Sequence, residues 1–162
     1  DAVVVHDMTM ISYQARRHFP VYKPRCSLSP HYYGTLGFSV PAAIGAKVAC
    51  GDKQVVALVG DGGFMFTAQE LATAVQQGVG LPIVLCNDNC YTAIQRVHER
   101  RFGDRTVGVD LHNPDFVQLA QSFGAHGVRV TSCGALEEAL EAALRAELPT
   151  LIEVYLPEFE VE

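Results

Sequence analysis

The chain has 162 residues, a formal net charge of −6, 49% hydrophobic and 19% charged residues. That length suits one domain, and the apolar share is enough for a real core. No basic face marks a nucleic-acid surface, no apolar run approaches the roughly 18 residues of a membrane span, and no basic-then-apolar signal pattern opens the chain.

The five cysteines form no C-x-x-C pair, and Cys50 and Cys86 sit in apolar surroundings. Free thiols in a reduced, cytoplasmic setting are expected.

The chain opens directly on Ala2-Val3-Val4-Val5 without an initiator Met, as one domain of a longer protein would. A strand is predicted over 2–6. The segment 11–33 has no clear period and reads as a long loop with room for one helix. A helix over 41–50 opens on Pro41, which the first helical turn tolerates. A strand over 55–59 follows, then a glycine-rich turn. The helix expected over 67–77 precedes the stop signal Gly78, and Thr67 with Glu70 fits a capping box. A strand over 82–86 and a helix over 91–99 come next. The helix over 114–123 has Asn113 as its expected N-cap and Gly124 beyond its end. A strand over 127–130, an amphipathic helix over 135–146 and a strand over 150–155 complete the chain.

This alternation predicts an α/β fold: a three-layer α/β/α sandwich around a mostly parallel, doubly wound sheet, with 1–162 as a single domain. The strands are β-branched and nearly unbroken in apolar character, as strands covered on both faces are.

The strand over 55–59 runs into Gly60-Asp61-Gly62-Gly63. In an open α/β sheet, ligands bind at the carboxyl ends of strands. The glycines permit close backbone approach, and free N–H groups there favour an anion. A carboxylate at the centre of an anion site would repel the anion unless a cation lay between them. Asp61 therefore suggests a metal bridging protein to phosphate. The competing reading is a tight turn with an exposed acid. The next strand ends in Asn87-Asp88-Asn89-Cys90-Tyr91. If the two strands are neighbours, Asp61 and the 87–89 cluster face one ion, and such oxygen ligands suit Mg²⁺ or Ca²⁺.

In these residues the chain resembles thiamine-diphosphate enzymes. That family carries Gly-Asp-Gly, about two dozen residues, then Asn-Asn or a variant. Here 24 residues separate Gly62 from Asn87. The run Phe64-Met65-Phe66-Thr67-Ala68-Gln69-Glu70-Leu71-Ala72-Thr73-Ala74, the upstream Gly34-Thr35-Leu36-Gly37-Phe38 and the run Pro41-Ala42-Ala43-Ile44-Gly45-Ala46 are similar to the acetolactate-synthase-like branch. The resemblance is to the C-terminal, diphosphate-binding domain, and it covers nearly the whole chain.

The resemblance implies thiamine diphosphate and Mg²⁺ as cofactors. Asp61 matches the first metal ligand. Asp88 matches the second, where the family more often has Asn; a one-residue shift would nominate Asn89. Cys90 matches a backbone-carbonyl ligand. Gly62 and Gly63 match backbone donors to the diphosphate, and Tyr91 and Thr92 match the start of the helix that covers it. Leu36 matches the apolar residue beneath the bent cofactor, although an isolated Leu is more often plain core. Gly34 matches a carbonyl that accepts from the 4′-amino group. Ile94 stands where the pyruvate-decarboxylase branch has a catalytic Glu, and Gly51 where the family usually has Pro. His31, His98, Arg96, Arg100 and Arg101 are read first as surface or core.

The family's activating Glu belongs to a separate pyrimidine-binding domain or subunit, so no catalytic residue is expected within this chain, and the isolated domain is expected to be inactive. The implied whole is a homodimer or tetramer acting on a 2-oxo acid, by decarboxylation or acetolactate-synthase-like carboligation. The rival readings are a natural subunit of a two-chain 2-oxo-acid decarboxylase, and a non-catalytic α/β module that kept the shape of the site.

Overall fold

A computed structural model describes residues 2–103 and 105–160. Its six strands are β1 (Val3–His6), β2 (Ser27–Leu28), β3 (Val55–Gly60), β4 (Pro82–Asn87), β5 (His126–Val130) and β6 (Thr150–Tyr155). They form one sheet in the order β2-β1-β3-β4-β6-β5, and every pair is parallel. Parallel sheets need both faces covered, which explains the strands' continuous apolar character.

One face is covered by α2 (Ser39–Cys50), α4 (Glu70–Gln76) and α6 (Phe116–Ser122). There Val40, Ile44, Leu71, Ala74, Phe116 and Ala120 pack on Val5, Val59, Ile83, Leu85 and Leu151. Phe64 joins this core edge-to-face with Phe116, ring centroids 5.7 Å apart. Truncating so buried a Phe to Ala typically costs about 3–5 kcal/mol. The opposite face carries α7 (Cys133–Arg145), whose Leu136, Ala139, Leu140 and Ala143 pack on Val84, Val130, Ile152 and Val154. The expected three-layer α/β/α sandwich is present. No helix among the described residues is long and apolar enough to cross a membrane.

The chain leaves β1 toward β2 on one side, then returns to place β3 on the other. This reversal opens a crevice outside the carboxyl ends of β1 and β3, the usual ligand position in such sheets. Two further helices border it: α1 (Met10–His18) and α5 (Thr92–Phe102). Among its described residues α5 buries none, and α1 buries only Ser12.

Several local expectations are corrected. The segment 11–33 holds the one helix allowed for it, α1 from Met10 onward, and also the edge strand β2, which was not expected. Their signal was weak because α1 buries a polar Ser. Thr67 makes no capping box. Its hydroxyl donates to the Gly37 carbonyl at 3.1 Å, and α4 starts only at Glu70, whose carboxylate accepts from Thr73. Asn113 does not cap α6. Asp115 does, accepting from the Gln118 N–H at 2.9 Å. Gly51 closes α2 at φ +56°, a value closed to Pro, whose ring holds φ near −65°.

Candidate functional site

The register Gly60↔Cys86 sets the ends of β3 and β4 side by side, as the motif spacing requires. β3 runs straight into the short helix α3 (Asp61–Phe64). The sharp entry leaves the first-turn N–H groups of α3 without intrahelical partners. A side chain at 62 would not fit: a Cβ there would lie 2.3 Å from Cε1 of Tyr91, whose ring rests on the glycine backbone.

A cavity of about 310 Å³ opens at the crevice. Gly34, Leu36, Asp61, Gly62, Gly63, Asp88, Cys90, Tyr91 and Thr92 all line it. These nine residues are therefore on one surface, although they come from three separate stretches of chain. Leu36 is half-buried and faces this space, so it is not plain core. Met8, Thr9, Met10 and Tyr13 complete the wall from the β1 side, and Ile94 from α5. Asn89 does not line the cavity. Its φ of +56° turns the chain there, and its side-chain oxygen accepts from Asn113 at 3.2 Å.

Asp61 is 2% exposed. One of its oxygens accepts from the Gly62 N–H at 2.9 Å and the other from the Asn113 amide at 2.7 Å. Burial pushes its carboxyl above the ordinary carboxylate range, and Asp88 nearby adds to the rise. Asp88 accepts from the Cys90 N–H at 3.2 Å and from the Thr92 hydroxyl. Burial also pushes the Cys86 thiol up to about 12. Among the described residues no Lys, Arg or His lines the cavity, and no three His, Cys, Asp or Glu side chains converge as a metal cluster. A cation here would rest on two carboxylates and on backbone or ligand oxygens.

A second buried carboxylate fixes the facing loop. Asp7, at the end of β1, accepts from the N–H groups of Met8 (2.8 Å), Gly37 (3.2 Å) and Ser39 (2.9 Å). It thereby holds the 34–37 loop against the crevice. Neither Asp7 nor Asn113 stood out in the sequence as part of the site. The Asn-Pro-Asp run at 113–115 offered only a weak signal: Pro114 disfavours helical backbone at Asn113, and Asp115 is a second candidate cap.

A more open cleft of about 600 Å³ lies between α1 and α5 and shares Met10, Tyr13 and Ala93 with the cavity. Arg17, Arg96 and Arg100 border it and are exposed. His31 and Arg101 are exposed and border neither space, as their reading as surface anticipated.

The family model for the thiamine pyrophosphate enzyme, C-terminal TPP binding domain, matches residues 7–154. The chain belongs to that family. It is 36% identical over 158 residues to an acetolactate synthase large subunit of Parasynechococcus marenigrum, covering 96% of this chain and 25% of the relative. It is 38% identical over 156 residues to a probable 2-ketoarginine decarboxylase of Pseudomonas aeruginosa, covering 95% and 28%. Its fold superposes on the thiamine diphosphate-dependent 4-hydroxybenzoylformate decarboxylase of Rhodococcus jostii with a TM-score of 0.90 and 32% identity, over 99% of this chain and 30% of that one. The chain thus spans about a quarter to a third of the length of these relatives.

Proposed function

We propose that this chain holds the diphosphate end of thiamine diphosphate, through Mg²⁺, in an enzyme that decarboxylates or ligates 2-oxo acids. One observation carries the reading: the cavity presents two carboxylates beside the glycine backbone at 62 and 63 and, among the described residues, no basic side chain. An anion can enter such a site only with a cation. Asp61, Asp88 and the Cys90 carbonyl would hold the Mg²⁺, and diphosphate oxygens and water would complete six ligands. The backbone at Gly62 and Gly63, beneath Tyr91 and beside Thr92, would hold the diphosphate. Leu36 would support the bent cofactor from below, and the Gly34 carbonyl would accept from its amino group. When bound, the cofactor supplies the electron sink for breaking or making a carbon–carbon bond.

This chain's own work is to bind, orient and exclude water. The activating Glu would come from a pyrimidine-binding domain or subunit within a homodimer or tetramer. All five cysteines are free thiols, which supports a reducing, cytoplasmic setting. Calorimetry of the full-length protein with thiamine diphosphate, with and without Mg²⁺, tests the reading. Binding that requires Mg²⁺, with CO₂ release from at least one 2-oxo acid, is the expected result. Absence of binding under both conditions would leave only a non-catalytic module.

A further inference from the structure

Glu153 is fully buried in the middle of β6. An ionised carboxylate in such a place persists only with strong partners. Arg129 on the neighbouring β5 supplies two of them, with Nε 2.8 Å from Oε2 and a terminal nitrogen 3.3 Å from Oε1. The guanidinium also lies over the Tyr155 ring, 4.9 Å from its centroid. The third partner comes from the other side: the Asn87 amide donates to Oε1 at 2.7 Å.

That contact has a directional consequence. An ionised carboxylate only accepts. It therefore fixes the NH₂ of Asn87 toward Glu153 and turns the amide oxygen of Asn87 away, toward the site. The oxygen accepts from the Asn89 N–H at 3.1 Å and from the Asn113 amide at 3.0 Å. Asn113 in turn donates to Asp61 at 2.7 Å and to the Asn89 oxygen at 3.2 Å. A flipped Asn87 would set its oxygen against a carboxylate and its NH₂ against two donors. One hydrogen-bonded line thus runs from an Arg at the sheet edge, through a buried Glu, to the aspartate at the end of β3.

We propose that Glu153 and Asn113 are positioning residues of the cation–diphosphate site: Glu153 sets the Asn87 amide, and Asn87 with Asn113 holds Asp61 and the 87–90 turn in place. The proposal rests on the cofactor reading above, and it assigns to β6 and to the loop before α6 a role in cation affinity.

The test is Mn²⁺ or Mg²⁺ titration of the full-length protein at saturating thiamine diphosphate, alongside melting of the metal-free protein. Asn87→Asp sets two carboxylates face to face, and Glu153→Gln removes the acceptor-only partner. Each should weaken cation binding by about 10–100-fold, the usual effect of losing an outer-shell partner. The reciprocal double variant N87D/E153Q restores one donor facing one acceptor and keeps an oxygen toward Asn113, so it should recover most of the affinity. Asn113→Ala changes a half-buried loop residue outside the sheet. It should lose a similar factor with little change in melting temperature, which keeps the test decisive if a β6 variant fails to fold. Wild-type binding with unchanged affinity in Asn113→Ala, or a double variant as weak as the two singles combined, would overturn the proposal alone. A wild-type protein that binds neither cation nor cofactor would overturn the cofactor reading and this proposal together.

Discussion

The ends of β1 and β3 lie side by side in the sheet, and each finishes in a buried aspartate, yet the two are used in opposite ways. Asp7 is surrounded by backbone donors from Met8, Gly37 and Ser39 and faces protein. Asp61 meets the Gly62 and Asn89 backbone and the Asn113 amide, faces a cavity, and has Asp88 for a neighbour. The first acts as a fastener. The second opens on a cavity beside a like charge, the arrangement that the proposed cation would relieve. Burial alone does not mark a functional carboxylate; the identity of its partners does.

Exchanging each acid for its amide separates the two roles. Asp61→Asn should lower Mg²⁺-dependent affinity for thiamine diphosphate by on the order of 100-fold, at or above the upper end of an outer-shell loss. Its NH₂ would face the Gly62 N–H or the Asn113 amide, but the loss of a buried charge beside Asp88 offsets that cost, so the metal-free protein should melt closer to wild type than Asp7→Asn does. Asp7→Asn should do the reverse. It turns a donor toward the Gly37 or Ser39 N–H and should cost about 1–3 kcal/mol of stability. In a domain of this size that reads as roughly 2–4 °C of melting temperature per kcal/mol, with little change in affinity once the protein is folded. If both variants lose affinity and stability alike, the contrast between fastener and site fails.

Gly62→Ala is a smaller perturbation of the β3 end. The new methyl would meet the Tyr91 ring, which must swing aside. About a tenfold loss of cofactor affinity is expected, the size of one misplaced outer contact. Removing the ring as well, in G62A/Y91A, should give less than the sum of the single losses.

The least effect is the pH dependence. Burial holds the Asp61 carboxyl above its ordinary 3.8, so the folded state binds that proton more tightly than the unfolded state does. The resulting stabilisation is present in full below 3.8 and is lost as pH rises through the folded value. Metal-free wild-type protein should lose stability relative to Asp61→Asn over that interval, and Mg²⁺ with cofactor should reverse the difference, because wild type binds them more tightly. Melting curves at matched ionic strength measure it.

The β3 end was legible in the sequence because its signal is local. Gly60-Asp61-Gly62-Gly63 is contiguous, follows an unmistakable strand and stands at a fixed distance from the 87–90 turn. The layers of the fold were legible from hydrophobic period. Asn113 was not, because its role depends on Asp61, 52 residues away, and the best local rule assigned it to a helix cap. Asp7 and Glu153 were hidden for a similar reason. A single acid at or within an apolar strand carries no local sign that it is buried or of what it meets. The α1 and β2 segments escaped because their few buried positions, Ser12 among them, do not repeat with any period.

The thin anchoring of α5 has an evolutionary consequence. Its described side chains are all at least partly exposed, while Asp61 and the glycines beside it stand on a strand end within the sheet. Arg96 and Arg100 can therefore be exchanged at almost no cost to folding. Such a layout separates mutational robustness from innovation: substitutions on the rim of the cleft leave the strand ends that build the cavity untouched.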